Sequence, residues 1–185
     1  MKRRIALVMF FLAARAPAAV RRFEFRYVLG REQNGTVVPV SPLSPFETGD
    51  RLRIRVLASQ ESYCYVAIGR SDGRFELLGA SRLAARRLAF ADEWVDLPDS
   101  GWLRLDQRPG IEMLYLIVTS APVRELDELW DVGRLSETAL LKIRERYQSG
   151  VVTERITVRE LVRVRIEARD DRPVVVLEPI RLRHR

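Results

Sequence analysis

Behind Gly49-Asp50, the stretch Arg51-Leu52-Arg53-Ile54-Arg55-Val56 alternates a guanidinium with an aliphatic side chain at every step. Successive side chains of a strand point to opposite faces. Leu52, Ile54 and Val56 therefore belong to a buried face, and Arg51, Arg53 and Arg55 to an open one. This period of two is the signature of a half-buried strand, and it recurs on both sides. Upstream, Phe23, Phe25, Tyr27 and Leu29 alternate with Glu24, Arg26 and Val28, and Asn34-Gly35 marks a tight turn before Thr36-Val37-Val38-Pro39-Val40. Ser41-Pro42-Leu43-Ser44-Pro45 then withholds two backbone donors in five residues and reads as an extended connector.

Downstream, Tyr63 to Ile68 is more uniformly apolar, as expected of a strand covered on both faces. Ser71-Asp72-Gly73 turns the chain into Arg74 to Leu78. Trp94 to Leu97 and Trp102 to Leu105 are short alternating pieces, and Glu112 to Ser120 reads as the most buried strand. Helical spacing takes over at Val123 to Trp130 and at Leu135 to Tyr147, with Ser136 as N-cap and Leu140, Ile143 and Tyr147 on one face. Strand character returns at Ile156 to Val158, Leu161 to Ile166 and Val174 to Leu182. Short strands with helices confined to about 123–148 predict a mainly β fold, an antiparallel β-sandwich or open barrel. The expected organisation is an N-terminal hairpin and linker over 19–45, then a sandwich domain over 46–185 with a helical insertion and a C-terminal hairpin.

The chain has 185 residues, 47% of them hydrophobic and 31% charged, which disfavours disorder and a polytopic membrane protein. Its net charge of +7 needs apportioning. Met1-Lys2-Arg3-Arg4 precedes the apolar run Ile5 to Ala14, and Ala16-Pro17-Ala18 matches a signal-peptidase site, so 1–18 reads as a secretory signal peptide. Its ten-residue apolar run is short for a bilayer span, so no stable membrane anchor is expected after cleavage. Losing Lys2, Arg3, Arg4 and Arg15 takes +7 down to +3, and nucleic-acid binding loses its compositional support. The mature protein is expected in the bacterial periplasm or outside the cell. Cys64 is the single cysteine, set between Tyr63 and Tyr65, and reads as a buried, inert thiol.

The central segment carries a family resemblance. Gly49-Asp50-x-Leu52, Tyr63-x-Tyr65, Asp72-Gly73 before Leu77-Leu78, Leu97-Pro98, Gly110-x-Glu112 and Val118-Thr119-Ser120 follow one another in an order that resembles the bacterial domain of unknown function 4384 over about residues 48–128. The chain departs from that pattern at Gly79-Ala80, where the family has an aromatic-proline pair. The resemblance implies a β-sandwich module of exported bacterial proteins, here in an accessory or binding role. It brings no catalytic residues with it.

Gly69-Arg70-Ser71-Asp72-Gly73 matches the G-x-S-x-G nucleophile elbow, which makes a serine hydrolase using Ser71 one reading. That chemistry needs a helix after the serine and an oriented histidine base. Arg74 to Leu78 reads as a strand, and the one histidine, His184, stands next to the terminal Arg185, a poor place to hold an imidazole. Asp72-Gly73 reads more simply as a hairpin turn. One His and one Cys cannot build a three-ligand nitrogen or sulfur zinc site. Asp92-Glu93 and Glu125, Asp127 and Glu128 read as a solvated loop and an acidic helix start rather than a glycosidase pair, and Asp170-Asp171 as a turn rather than a calcium loop. No enzyme, metal or cofactor is therefore expected.

Arginine carries 30 of the 32 basic residues, since only Lys2 and Lys142 are lysines. Residues 19–60 hold seven arginines and four acids, and 151–185 nine and six, so each end is +3. The expected binding residues are Arg51, Arg53 and Arg55 on one strand and Arg163 and Arg165 on another. The expectation is an exported, non-enzymatic module that binds another cell-envelope protein, possible ligands otherwise being anionic glycans or surface polysaccharides.

Overall fold

Two twisted sheets, packed face to face, hold the alternating strands, and a pair of helices covers the outside of one of them. The computed structural model describes residues 20–70, 75–78, 87–105, 107–131, 136–147, 151–168 and 172–185. The signal segment 1–18, Ser71, Asp72-Gly73, Gly79-Ala80 and Asp170-Asp171 fall outside the described residues.

In sheet A, β1 (Arg21–Gln33), β4 (Arg51–Ala58), β8 (Trp94–Leu97), β11 (Val151–Val158) and β12 (Leu161–Ala168) lie in the order β11-β12-β1-β4-β8. Two short strands, β2 (Thr36–Pro39) and β9 (Leu103–Arg104), pair with β1 and β4. In sheet B, β3 (Pro45–Phe46), β5 (Ser62–Gly69), β6 (Phe75–Leu77), β10 (Gly110–Thr119) and β13 (Val175–His184) run in the order β3-β13-β10-β5-β6, with β7 (Arg87–Ala89) also on β5. The pairings are antiparallel except β3 with β13. The fold is the expected mainly β sandwich.

Parity decides which side chains meet between the sheets. Phe25 and Leu29 of β1, Leu52, Ile54 and Val56 of β4, and Val162, Val164 and Ile166 of β12 turn inward, onto Val66 and Ile68 of β5 and Leu114 and Leu116 of β10. Each such side chain contributes about 1.5–3 kcal/mol of burial. β5 and β10 are apolar on both faces for a physical reason. Tyr65, Ala67, Tyr115 and Ile117 point the other way, under α1 (Arg124–Asp131) and α2 (Glu137–Tyr147), where Leu126, Leu140 and Ile143 cover them. The Ser136 Oγ accepts from the Ala139 N–H at 3.2 Å, which is the expected N-cap of α2.

Two expectations about organisation change. The N-terminal hairpin does not stand beside the domain: β1 lies in the middle of sheet A, paired with β12 on one side and β4 on the other. Its turn is tight, with Gln33 opposite Thr36 and both Asn34 and Gly35 at positive φ. The last two strands do not form a hairpin either, because β12 belongs to sheet A and β13 to sheet B. The C-terminal hairpin is β11–β12, closed by the two-residue turn Arg159-Glu160. Val174 and Val176 face the inner core while Val175 and Leu177 face the helices, and it is sheet B that is covered on both sides.

Candidate functional site: the uncovered face of sheet A

The helices cover sheet B, whereas the outward face of sheet A carries its polar parity into the open. This brings the expected arginines together. Arg51, Arg53 and Arg55 stand on β4, and Arg163 and Arg165 on β12, with β1 between them. The register sets Arg26 opposite Arg163, Glu24 opposite Arg165, Val28 opposite Arg55, and Gly30 opposite Arg53.

The carboxylates on this face are shared. Glu24 lies 3.2 Å from Arg26 Nε, 3.3 Å from Arg163 Nε and 3.4 Å from Arg165 Nε, so one acid serves three bases. Glu154 on β11 gives Arg165 a second partner at 3.3 Å. Asp96 on β8 takes Arg55 at 3.0 Å and Arg53 at 3.5 Å. Arg51 and its cross-strand neighbour Arg104 have no ion pair among the described residues. Half-exposed pairs of this kind are each worth about 0–1 kcal/mol, so the lattice fixes the direction of the guanidinium groups more than it stabilises the fold.

Two tryptophans, not among the expected binding residues, complete the surface. The Arg53 guanidinium lies over Trp102 at 4.4 Å from the ring centroid, and Arg55 over Trp94 at 5.5 Å. Trp94 is 43% exposed. The signal that would have found it is parity: Val95 and Leu97 point inward, so Trp94 and Asp96 must point out, beside the arginines. Between the strands a shallow groove of about 110 Å³ is lined by Val28, Gly30, Val37, Pro39, Arg55 and Trp94. Its floor needs the glycine, since a Cβ on Gly30 would collide with Val37 Cγ1. An aromatic plane beside oriented cations over a flat floor suits an anionic ligand with a broad face.

Other polar groups sit inside the sandwich. His184 is fully buried, not loosely held at the end of the chain as expected; its Nε2 lies 3.2 Å from the Thr48 hydroxyl and its Nδ1 3.7 Å from Glu112. Arg70 reaches Glu112 at 3.4 Å and Glu76 at 2.9 Å. Together these side chains tie β3, β10 and β13 to the end of β5. The reason is the β3 pairing: Arg185 N–H donates to the Phe46 carbonyl and carries His184 inward. Elsewhere, Glu178 of β13 accepts from the Tyr27 hydroxyl at 2.8 Å and meets Arg155 Nε at 2.9 Å, bridging the two sheets. Burial raises the Glu178 carboxyl above its ordinary range, against the pull of Tyr27 and Arg155.

Cys64 is buried, and desolvation pushes its thiol up to about 12. Among the described residues, no three His, Cys, Asp or Glu side chains converge as a metal site. Nor is any helix among them long and apolar enough to cross a membrane. Glu125, Asp127 and Glu128 lie on α1, where Glu125 meets Arg146 at 2.7 Å and the Tyr147 hydroxyl at 2.9 Å. No family model, curated protein or solved structure matches this chain.

Proposed function

We propose that the chain is an exported, non-enzymatic accessory module of the bacterial cell envelope, and that it docks onto another envelope protein through the uncovered face of sheet A. One observation carries this reading. The helices bury one sheet, while Arg51, Arg53, Arg55, Arg163 and Arg165 converge on the other, the last four of them held in fixed directions by shared carboxylates. Such a surface favours an acidic partner and speeds its approach. The leader-like residues 1–18 and the resemblance to exported β-sandwich modules support the compartment. Cell fractionation with N-terminal sequencing tests that part, and the expected mature chain starts at Ala19.

Docking is tested by cross-linking in intact envelopes. A defined adduct is expected for the wild type and its loss for Arg53→Glu combined with Arg165→Glu. A strictly monomeric protein without an envelope adduct would overturn the reading. A second reading, an anionic glycan ligand, is favoured by the exposed Trp94 beside Arg55 on the Gly30 floor. Purified acidic polysaccharide is then bound in a salt-sensitive way, and binding falls in both Trp94→Ala and Arg53→Ala.

A further inference from the structure

The sheets end differently at their four edges. β8 runs four residues and β6 three, too short to recruit another strand. The edge of β13 is occupied at Arg183 and His184 by β3, and above that carries Pro179, which has no N–H to offer. β11 has none of these protections. It is eight residues long, contains no proline, and among the described residues pairs only with β12. Val158 and Leu161 flank a two-residue turn and form a hydrogen-bonded pair by that geometry. Alternation then turns the backbone groups of Thr157, Arg155 and Thr153 toward the open edge. On the outward side of the same strand Val152, Ile156 and Val158 are 57%, 38% and 62% exposed.

The inward side of β11 overhangs sheet B. Beneath it, between the edges of β11 and β13, runs a groove of about 360 Å³. Val162, Pro179 and Ile180 give it an apolar wall, and Arg155, Arg159 and Arg181 a basic one; Glu160 is the carboxylate in its lining. Glu178 engages Arg155, whereas Arg159 and Arg181 have no ion pair among the described residues.

We infer that β11 accepts an extended strand from a partner protein, added to its free edge. The incoming strand carries apolar side chains on the outward parity, against Val152, Ile156 and Val158, and acidic side chains on the inward parity, above Arg159 and Arg181. Main-chain hydrogen bonds along the eight residues supply affinity and the alternating side chains supply selection. The occupant is set by charge complementarity, and a second copy of this chain fits less well. Self-pairing about Arg155 stacks two arginines, and about Glu154 two glutamates, at the centre of the contact. The strand site borders the arginine face, since Ile156 stands opposite Arg163, but it depends on the edge backbone of β11 and on Arg159 and Arg181, which the docking through Arg53 and Arg165 does not use, so the variants named for each tell the two apart.

The test uses the full chain and two labelled heptapeptides, Thr-Val-Glu-Val-Glu-Val-Thr and the same peptide with lysine for glutamate, followed by fluorescence anisotropy. At low ionic strength the glutamate peptide is expected to bind about tenfold more tightly than the lysine peptide. Arg159→Glu combined with Arg181→Glu is expected to reverse that order. Thr157→Pro, which removes an edge N–H, is expected to abolish binding while Lys142→Ala, on α2 over the other sheet, leaves it unchanged. Ile156→Asn keeps the backbone intact and is expected to weaken binding, so the test stands even where the proline variant does not fold. Equal affinity for the two peptides, or unchanged binding by Ile156→Asn, overturns the inference. So does a concentration-dependent dimer that Ile156→Asn dissolves, since the edge then belongs to a second copy.

Discussion

The Arg53 guanidinium lies over the Trp102 ring at 4.4 Å from its centroid, while its Nε and Nη2 both donate to the Gly101 carbonyl at 3.2 and 3.0 Å. A planar fork can stack and donate at once; an ammonium cannot. Arg53→Lys keeps the charge and loses the stack and one donor. It is expected to cost about 1 kcal/mol, the sum of a partly exposed cation–π contact and a weak hydrogen bond. Urea denaturation checks this, and a lysine variant as stable as the wild type sinks it.

Glu24 holds Arg26, Arg163 and Arg165 at once, so removing its charge moves stability and binding in opposite directions. Glu24→Gln leaves three mutually repelling cations and is expected to lower stability by about 1 kcal/mol at low salt. The same change raises the positive potential of the face. An acidic envelope partner should therefore bind the variant more tightly, with a steeper salt dependence. Binding that weakens in parallel with stability would mean that Glu24 itself touches the partner.

Parity made much of this face legible. The alternation of Leu52, Ile54 and Val56 with Arg51, Arg53 and Arg55 states which side chains are buried before any partner strand is known. The helices were legible too, because Ser136 caps α2 and Leu140 and Ile143 recur at helical spacing. Strand neighbours were not legible. Nothing near Phe25 says that its strand pairs with Ala58 on one side and Val164 on the other, since these partners lie 33 and 139 residues away and leave no local signal. Hence β1 reads as a separate hairpin, and the position of Glu24 among three arginines stays hidden. His184 was hidden for a related reason: a residue next to the chain end looks solvated until β3, far back in the sequence, pairs over it.

The buried Glu178 should make the protein less stable as the pH rises. Its carboxyl is raised chiefly by burial, so the folded protein holds that proton more tightly than the unfolded chain does. Stability from this group is full below the unfolded value of about 4.3 and is lost as the pH rises through the folded value. Glu178→Gln keeps an acceptor for the Tyr27 hydroxyl and removes the charge. The melting temperature of the variant is expected to gain on the wild type progressively from acid toward neutral pH. Glu125 works the other way. Burial raises its carboxyl, but the backbone, Tyr147, Arg146 and Arg124 outweigh that and hold it below the usual range, so its contribution is lost as the pH falls. A wild type that gains on Glu178→Gln with rising pH contradicts the assignment.

Cys64 provides a check on the core that needs no partner. The thiol sits on the inward face of β5, in the cluster with Val66 and Leu116, and burial pushes its pKa up to about 12. Only the thiolate attacks a disulfide reagent, so at pH 8 almost none of the folded protein carries the reactive form. Access is blocked as well, because the side chain is fully buried. The folded protein is therefore expected not to react with an aromatic disulfide at pH 8, whereas one equivalent reacts as the chain unfolds in urea. The reaction midpoint should coincide with the loss of β-sheet circular dichroism. Fast labelling in the absence of denaturant would show that β5 opens locally, and with it the sheet that carries α1 and α2.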